Sequence, residues 1–207
     1  MNILLFITES DSDTNTQASQ LAIALHDNGH DVGLESNYID SYSSRIDLIK
    51  TCKFVVGLFG DFDHLYLRDW ADIILIAPAD MNTLAKIAHG FADTTMLKTI
   101  RTLKKPVWVV PSMDCESWNH PLTQQHFQLI QNQNINTIAP DKKGRMPQND
   151  VILSQIGALE RKLTMFDEHT LRRKLKVGVQ KFTDMIRRGR VIKQYDEEGN
   201  PIYSVAP

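Results

Sequence analysis

Two polar segments of this chain carry residue types that chemistry at a ligand site requires. Residues 78–83 (PADMNT) follow the apolar run DIILIA, and residues 111–118 (PSMDCESW) follow the apolar run VWVV. In each case a strand-like run ends at a proline, and a short polar turn leads into a helix-like stretch. Open α/β sheets bind ligands just beyond the carboxyl ends of their strands. The sequence therefore predicts a functional site formed by these two segments.

Asn82, His64 and Trp118 are the most versatile side chains in or near these segments. The Asn82 amide both donates and accepts hydrogen bonds, and it stands near a helix N-terminus, where anions are favoured; the alternative is plain N-capping of a helix over residues 83–90. An imidazole such as that of His64 can transfer protons near neutral pH, although a surface or capping histidine is the alternative. Trp118 could contact a ligand or serve only as a packing or interface aromatic.

Alternating strand and helix signals surround these residues. Apolar runs predict strands over residues 2–8, 31–36, 53–59, 72–77, 107–110 and 135–139. Helical spacing predicts helices over residues 14–28, 46–50, 84–104 (broken or bent near Gly90) and 120–133. Continuous apolar strands between helices indicate a parallel sheet covered on both faces. We therefore predict a flavodoxin-like, doubly wound α/β domain with three layers over residues 1–160.

Composition limits the class of protein. The chain has 207 residues, 42% of them hydrophobic, and no apolar run near the ~18 residues that a membrane span needs. The N-terminus MNILLFITESDSD has no basic segment and is interpreted as a first strand, not a signal peptide. Two cysteines form neither a disulfide framework nor a zinc cluster, so we expect a cytoplasmic protein without a structural metal.

The end of the chain differs in charge from the rest. Residues 160–207 hold 11 Lys/Arg and 7 Asp/Glu, a balance of +4, which leaves residues 1–159 at −6. We predict that residues 161–207 form a basic extension: an amphipathic helix or helix pair, then a hairpin over 191–205. The apolar helix positions are Leu171, Leu175, Val179, Phe182 and Ile186. The extension could wrap a neighbouring subunit; nucleic acid is the less favoured partner, because no recognised binding motif supports it.

Three stretches resemble one enzyme family. Residues 64–93 resemble the His-x-x-Leu-x-x-Trp-Ala-Asp block and the PASANT-type motif of the flavin-containing cysteine decarboxylases. That family includes phosphopantothenoylcysteine decarboxylases and the peptidyl-cysteine decarboxylases of lantibiotic biosynthesis. Residues 111–126 are similar to its second signature, PxMNxxMW, and residues 143–152 to its later Gly-Arg-Met segment. The resemblance covers roughly residues 1–156.

The resemblance implies a homotrimer, or a homododecamer of trimers, that binds FMN between subunits and oxidises a cysteinyl thiol with loss of CO₂. It implies a small-molecule or peptide thiol carboxylate as substrate. His64 matches the catalytic histidine, and Asp114 stands at a substrate-facing catalytic position. The residues expected to bind the cofactor are Thr8, Ser10, Pro78, Ala79, Asn82 and Thr83, and those expected to bind the substrate are Asn82, Met113, Asp114 and Trp118.

Two departures concern the substrate end. Asp114 stands where the second signature has Asn, and an ionised Asp accepts hydrogen bonds but repels a carboxylate unless burial raises its pKa. Ser117 replaces the signature's methionine. Between Pro140 and Gly144 the chain also lacks the cysteine that phosphopantothenoylcysteine decarboxylases use to reduce their intermediate. An oxidative decarboxylase that releases an enethiol needs no such cysteine.

A third departure concerns the cofactor. The first loop places Glu9, Asp11 and Asp13 where a Gly-Ser turn usually approaches the FMN phosphate. Repulsion from each acid would cost on the order of 1–4 kcal/mol, although nearby hydroxyls could still bind the phosphate. Two functions therefore stay open: an FMN-dependent decarboxylase, or a catalytically impaired homologue, flavin-binding or flavin-free, that acts as an oligomeric scaffold or regulator.

Overall fold

A computed structural model describes residues 1–8, 12–36, 42–56, 63–133, 135–164, 171–172, 175–196 and 200–206. The chain divides into two compact units, Met1–Ile152 and Leu153–Pro207, which we call the sheet domain and the C-terminal unit. The boundary expected between residues 160 and 161 stays a prediction.

Six parallel strands form the sheet of the sheet domain. They are β1 (Asn2–Ile7), β2 (Asp31–Ser36), β3 (Phe54–Val56), β4 (Ile73–Ala79), β5 (Val107–Pro111) and β6 (Asn136–Thr137). All seven residues of β4 are buried. A strand covered on both faces must be apolar throughout, which is why continuous apolar runs of the sequence located strands such as β4 and β5. Residues 57–59, the end of the predicted third strand, lie outside the described residues.

The strand order is β3-β2-β1-β4-β5-β6. The chain adds strands in one direction from β1 to β3 and in the other from β4 to β6. Right-handed crossovers then place helices on both faces of the sheet. The predicted flavodoxin-like, doubly wound α/β fold is confirmed. The strand order locates its topological switch point between β1 and β4, where such sheets open a ligand crevice.

Eight helices of the described residues join or follow these strands. They are α1 (Ser12–Asp27), α2 (Tyr42–Thr51), α3 (His64–Trp70), α4 (Met81–Ala88), α5 (Thr95–Thr102), α6 (Cys115–Asn119), α7 (Pro121–Asn132) and α8 (Asn149–Thr164). The stretch predicted as helix over residues 84–104 is broken into α4 and α5. Gly90 follows α4 with φ +70°, and the Thr94 side chain caps α5 by accepting from the Leu97 N–H at 3.2 Å. The core packs apolar side chains of α3, α4, α5 and α7 against the sheet.

The C-terminal unit contains a further helix, α9 (Val179–Arg187), and an antiparallel hairpin of β7 (Val191–Tyr195) and β8 (Pro201–Val205). The predicted helical and hairpin extension is thus confirmed. Its small core contains Leu171, Phe182, Val191 and Tyr203. Val179, however, is 56% exposed, because it is the first residue of α9 and lies outside that core. No helix among the described residues is both long and apolar enough to cross a membrane.

Candidate functional site

Thr8 and Asp80 tie the ends of β1 and β4 together at the switch point. The Thr8 hydroxyl donates to the Pro78 carbonyl at 3.1 Å and accepts from the Asp80 backbone N–H at 3.1 Å. The Thr8 Oγ1 also lies 3.4 Å from Oδ1 of Asp80. Pro78 and Ala79 are buried in β4, so they offer backbone and not side-chain polarity to the site. These contacts fix the edge from which the crevice opens.

Asp80 is a site residue that the sequence analysis missed. Its carboxylate caps α4 by accepting from the Thr83 N–H at 2.8 Å. The interpretation of Asn82 as the cap of this helix is therefore wrong: Asn82 lies in the first turn of α4 and is exposed. Because Asp80 caps α4, the Asn82 amide is not needed for capping.

Two cavities lie on either side of this helix start, and together we call them the crevice. The β2-side cavity has a volume of about 280 Å³, and its polar lining includes Thr8, Glu35, Ser36, Asp80, Asn82, Thr83, Lys86 and Thr94. The β5-side cavity has a volume of about 680 Å³, and its lining includes Asp13, Thr14, Gln17, Asp80, Asn82, Ser112, Met113, Asp114, Ser117 and Arg145. Asp80 and Asn82 are common to both cavities and form their shared wall.

The segment after β5 is held in place by the Gly-Arg-Met segment. The Met113 N–H donates to the Gly144 carbonyl at 2.9 Å, and the Met146 N–H donates to the Ser112 hydroxyl at 3.3 Å. Gly144 has φ +82°, and a Cβ atom there would lie 2.6 Å from the Met113 carbonyl oxygen. Glycine is therefore required at this position for both backbone conformation and space.

Asp114 caps α6 at the mouth of the β5-side cavity. Its carboxylate accepts from the Ser117 N–H at 2.8 Å, and the side chain is exposed. Hydrogen bonds from Ser117 hold the pKa of Asp114 below its usual value. Burial therefore does not provide the neutral form that would let this residue donate to a substrate carboxylate.

Four carboxylates face the crevice against two cations, and both cations are already paired. The acids are Asp13, Glu35, Asp80 and Asp114. Nζ of Lys86 lies 2.6 Å from Asp93, and its hydrogen bond lowers the pKa of that carboxyl. Nη2 of Arg145 lies 2.9 Å from Asp141. The described lining of the crevice is thus acidic.

Among the expected site residues, His64 and Trp118 do not line the described crevice. His64 is the first residue of α3, where its Nδ1 lies 2.8 Å from Oδ1 of Asp63. That contact orients the ring and leaves Nε2 for proton transfer. Trp118 packs edge-to-face on Phe127 with ring centroids 5.1 Å apart. Ser10, with Glu9 and Asp11 of the acidic loop, lies outside the described residues.

A further cavity of about 490 Å³ lies at the opposite, amino end of β5, beside the end of α4. Two basic residues line it, and both are engaged by neighbours. Arg101 donates to the Gly90 carbonyl, and Lys105 donates to the Ala71 carbonyl at 2.5 Å. Ligands of doubly wound sheets bind at the carboxyl ends of the strands, so the crevice is the stronger candidate.

Comparison with known proteins decides the family. The sequence model described as "Flavoprotein" matches residues 18–160 of the chain. This chain belongs to the flavoprotein family. The resemblance to the flavin-containing cysteine decarboxylases is thereby confirmed, and membership of the family implies a flavin cofactor.

Relatives of this flavoprotein share its central part. The probable phosphopantothenoylcysteine decarboxylase of Arabidopsis thaliana is 43% identical over 82 residues, which cover 39% of this chain and 41% of that protein. The phosphopantothenoylcysteine decarboxylase of Mus musculus is 47% identical over 64 residues, or 30% of this chain and 31% of that protein. The match therefore spans about two fifths or less of these relatives' length.

Solved structures share the fold over more of the flavoprotein. A mutant of PPC decarboxylase superposes with a TM-score of 0.66 at 25% identity, covering 78% of this chain and 98% of that chain. The peptidyl-cysteine decarboxylase EpiD gives a TM-score of 0.63 at 22% identity, covering 74% and 96%. The similarity to EpiD is evidence for the fold alone.

The residues of the crevice fit the neutral part of a flavin. The β5-side cavity is within the ~300–1,000 Å³ range of small-molecule sites. Thr83 and Asn82 line the crevice, and a hydroxyl and an amide can both donate and accept, as a ring edge bearing carbonyl and N–H groups requires. The Thr8 hydroxyl already donates to the Pro78 carbonyl and can offer a ligand only an acceptor. The four carboxylates are less suited to an anionic group. The crevice can therefore hold a flavin ring and its hydroxylated chain.

Proposed function

We propose that this protein is an FMN-dependent lyase that oxidises a cysteine-derived thiol carboxylate with loss of CO₂. The observation that carries the proposal is the position of Asn82 in the shared wall of two cavities, at the switch point of a flavoprotein-family sheet. Its amide can hydrogen-bond either a flavin edge or a substrate carboxylate from that one position.

The cofactor-binding group consists of Thr8, Asn82 and Thr83, with backbone from residues 78–79 and, in the first loop, Ser10. Hydroxyl and amide groups orient a neutral ring, and the apolar side chain of Met96 in the same cavity excludes water from it. When bound, the flavin supplies the two-electron oxidant for the thiol. The protein supplies position, exclusion of water and acid–base groups.

His64 acts as the proton acceptor for the thiol, with its ring held by Asp63. Since His64 does not line the described crevice of its own chain, we propose a homo-oligomer, trimeric or dodecameric, in which a neighbouring copy completes the site. Exposed apolar residues beside it on α3, Leu65 at 41% and Tyr66 at 49%, support a contact surface there.

Met113, Asp114 and Trp118 form the substrate end, where Met113 and Asp114 line the β5-side cavity. The segment that lacks the reducing cysteine, residues 140–144, favours release of an enethiol over full reduction. We therefore propose a peptide with a C-terminal cysteine, or a related small thiol carboxylate, as substrate. The two free cysteines support a reducing, cytoplasmic location.

The test is absorbance followed by assay of CO₂ release. Purified protein should show flavin bands, either directly or after reconstitution with FMN, and Asn82→Ala should lose them. The loaded protein should release CO₂ from C-terminal-cysteine peptides, with little from phosphopantothenoylcysteine. Protein that stays colourless after reconstitution contradicts the proposal, and robust phosphopantetheine production contradicts the substrate assignment.

A second candidate is a catalytically impaired scaffold or regulatory homologue. The lowered pKa of Asp114 favours it, because an ionised carboxylate at the cavity mouth opposes a substrate carboxylate. Flavin binding without CO₂ release from any thiol carboxylate would favour this candidate over the enzyme.

A further inference from the structure

The cavity at the amino end of β5, which we call the amino-end cavity, has an apolar floor. Its lining includes Val107, which is buried, and Ile100, Leu103 and Ile135, which are only partly buried against the core of the sheet domain. The ring of Phe91 lines the same cavity and is 54% exposed. Apolar side chains that line an open cavity gain free energy when an apolar group covers them. The floor therefore favours a ligand with an apolar body.

Two cations line the amino-end cavity, and no carboxylate is among the described residues of its lining. The Arg101 guanidinium donates through Nη1 to the Gly90 carbonyl. Nζ of Lys105 donates to the Ala71 carbonyl at 2.5 Å and lies 3.8 Å from the carboxylate of Asp72, which is outside the lining. A carbonyl oxygen orients a cation without cancelling its charge. Arg101 in particular thus keeps its positive charge at the cavity.

The contact with Gly90 also gives Arg101 a capping role at the end of α4. Gln133 has a similar role, because its Nε2 donates to the Ala88 carbonyl at 2.8 Å. Capping through Nη1 uses a small part of the Arg101 side chain, since a guanidinium carries five N–H donors in a planar fork that matches a carboxylate or a phosphate. The Arg101 residue is exposed, so this fork can be reached from solvent.

We propose that the amino-end cavity binds a small organic anion with an apolar body, and that the Arg101 guanidinium is its anion-binding group. The cavity volume of about 490 Å³ is within the ~300–1,000 Å³ range of small-molecule sites. Helix α4 contributes Asn82 to the crevice in its first turn and Ala88 to the amino-end cavity at its end. The two sites are therefore separate, and this inference does not depend on the proposed flavin function.

The test compares two probes, 3-phenylpropanoate and its amide, which share one apolar body and differ in charge. Their affinities for the full-length protein are measured by equilibrium dialysis. The variant is Arg101→Gln, which removes the charge and keeps a side-chain N–H donor for the Gly90 carbonyl. The matched control is Lys98→Gln, which removes the charge of an exposed residue of α5 that does not line the cavity. Both variants are checked for wild-type circular dichroism.

In the wild type we expect 3-phenylpropanoate to bind about tenfold more tightly than its amide, because one charge at this range changes affinity by about that factor. Arg101→Gln should weaken binding of the carboxylate by about tenfold and of the amide by less than about threefold, and Lys98→Gln should change neither by more than about threefold.

Two further measurements need no variant, so they decide the proposal even if Arg101→Gln fails to fold. Raising the salt concentration should weaken binding of the carboxylate and leave the amide unchanged, because salt screens the attraction. Saturating 3-phenylpropanoate should slow hydrogen exchange in residues 100–105 and leave residues 111–118 unchanged.

Failure of 3-phenylpropanoate to bind, equal affinity for the carboxylate and the amide, or equal losses in Arg101→Gln and Lys98→Gln would overturn this inference. Protection of residues 111–118 alone would locate the probe in the crevice and would overturn it as well. None of these outcomes bears on the proposed flavin function, which the absorbance of the protein with FMN tests separately.

Discussion

The segments that follow β4 and β5 both begin a helix with an aspartate N-cap, but the two aspartates differ in burial and in their contacts. In each, an aspartate follows the strand and caps the next helix at 2.8 Å: Asp80 accepts from the Thr83 N–H, and Asp114 accepts from the Ser117 N–H. Asp80 is partly buried, touches Thr8 and begins an eight-residue helix, whereas Asp114 is exposed and begins a five-residue helix. Asp80 therefore belongs to the shared wall of the two cavities, whereas Asp114 lies at the exposed mouth of the β5-side cavity.

The difference shows that the surroundings of a cap decide its role. The Asp80 carboxylate is held in the crevice wall by its contacts with the Thr8 hydroxyl and the Thr83 N–H. The mouth segment depends instead on the Gly144 turn, which holds Met113 from the other side. We expect the cofactor end to be held by its own contacts and the substrate end to depend on the hydrogen bonds that join residues 112–113 to residues 144–146.

Gly144→Ala should give the largest effect. The new Cβ would lie 2.6 Å from the Met113 carbonyl oxygen in a backbone conformation with φ +82°. We expect a loss of about 2–3 kcal/mol in the free energy of unfolding, measured by urea denaturation. Gly189→Ala is the control, because its φ is also positive, +69°, but no atom lies within 4 Å of its added Cβ. Equal losses in both variants would show that the contact with Met113 has no role.

Asp80→Ala should come next. It removes the cap of α4 and the contact with Thr8, and we expect a loss of about 1–2 kcal/mol. Asp80→Asn should recover most of this stability while changing the charge. If Asp80→Ala is as stable as the wild type, the shared wall is not held as described.

Asp114→Ala should destabilise the protein less than Asp80→Ala, since the residue is exposed and its helix is short. Thermal unfolding of the two variants side by side measures the order. A larger loss of stability in Asp114→Ala than in Asp80→Ala would contradict the expected difference between the shared wall and the mouth of the β5-side cavity.

The smallest effect concerns pH. The pKa of Asp114 is lowered in the folded protein by hydrogen bonds from Ser117, so its contribution to stability is present above the pKa of the unfolded chain. That contribution is lost as the pH falls through the lower folded value, in the range below about pH 4. The unfolding midpoints of wild type and Asp114→Asn should therefore keep a constant difference from pH 5 to 8 and converge in acid. A difference that changes near neutral pH would contradict the lowered pKa.

Much of the fold was predictable because buried parallel strands are apolar throughout, as β4 shows. The role of Asp80 was not, because Asp and Asn are both good caps and the start of α4 could not be fixed to within two residues. Its contact with Thr8, 72 residues away, leaves no local signal. The separation of His64 from the crevice also could not be predicted, since it depends on which strands the crossovers place side by side.

Hydrogen exchange with and without saturating FMN tests most directly the claim that the crevice is the flavin site. We predict slower exchange in residues 78–86 and 111–118, at the carboxyl ends of β4 and β5. Exchange in residues 100–105, which lie around the cavity at the amino end of β5, should stay unchanged. Protection of residues 100–105 with no change at the crevice would contradict the account.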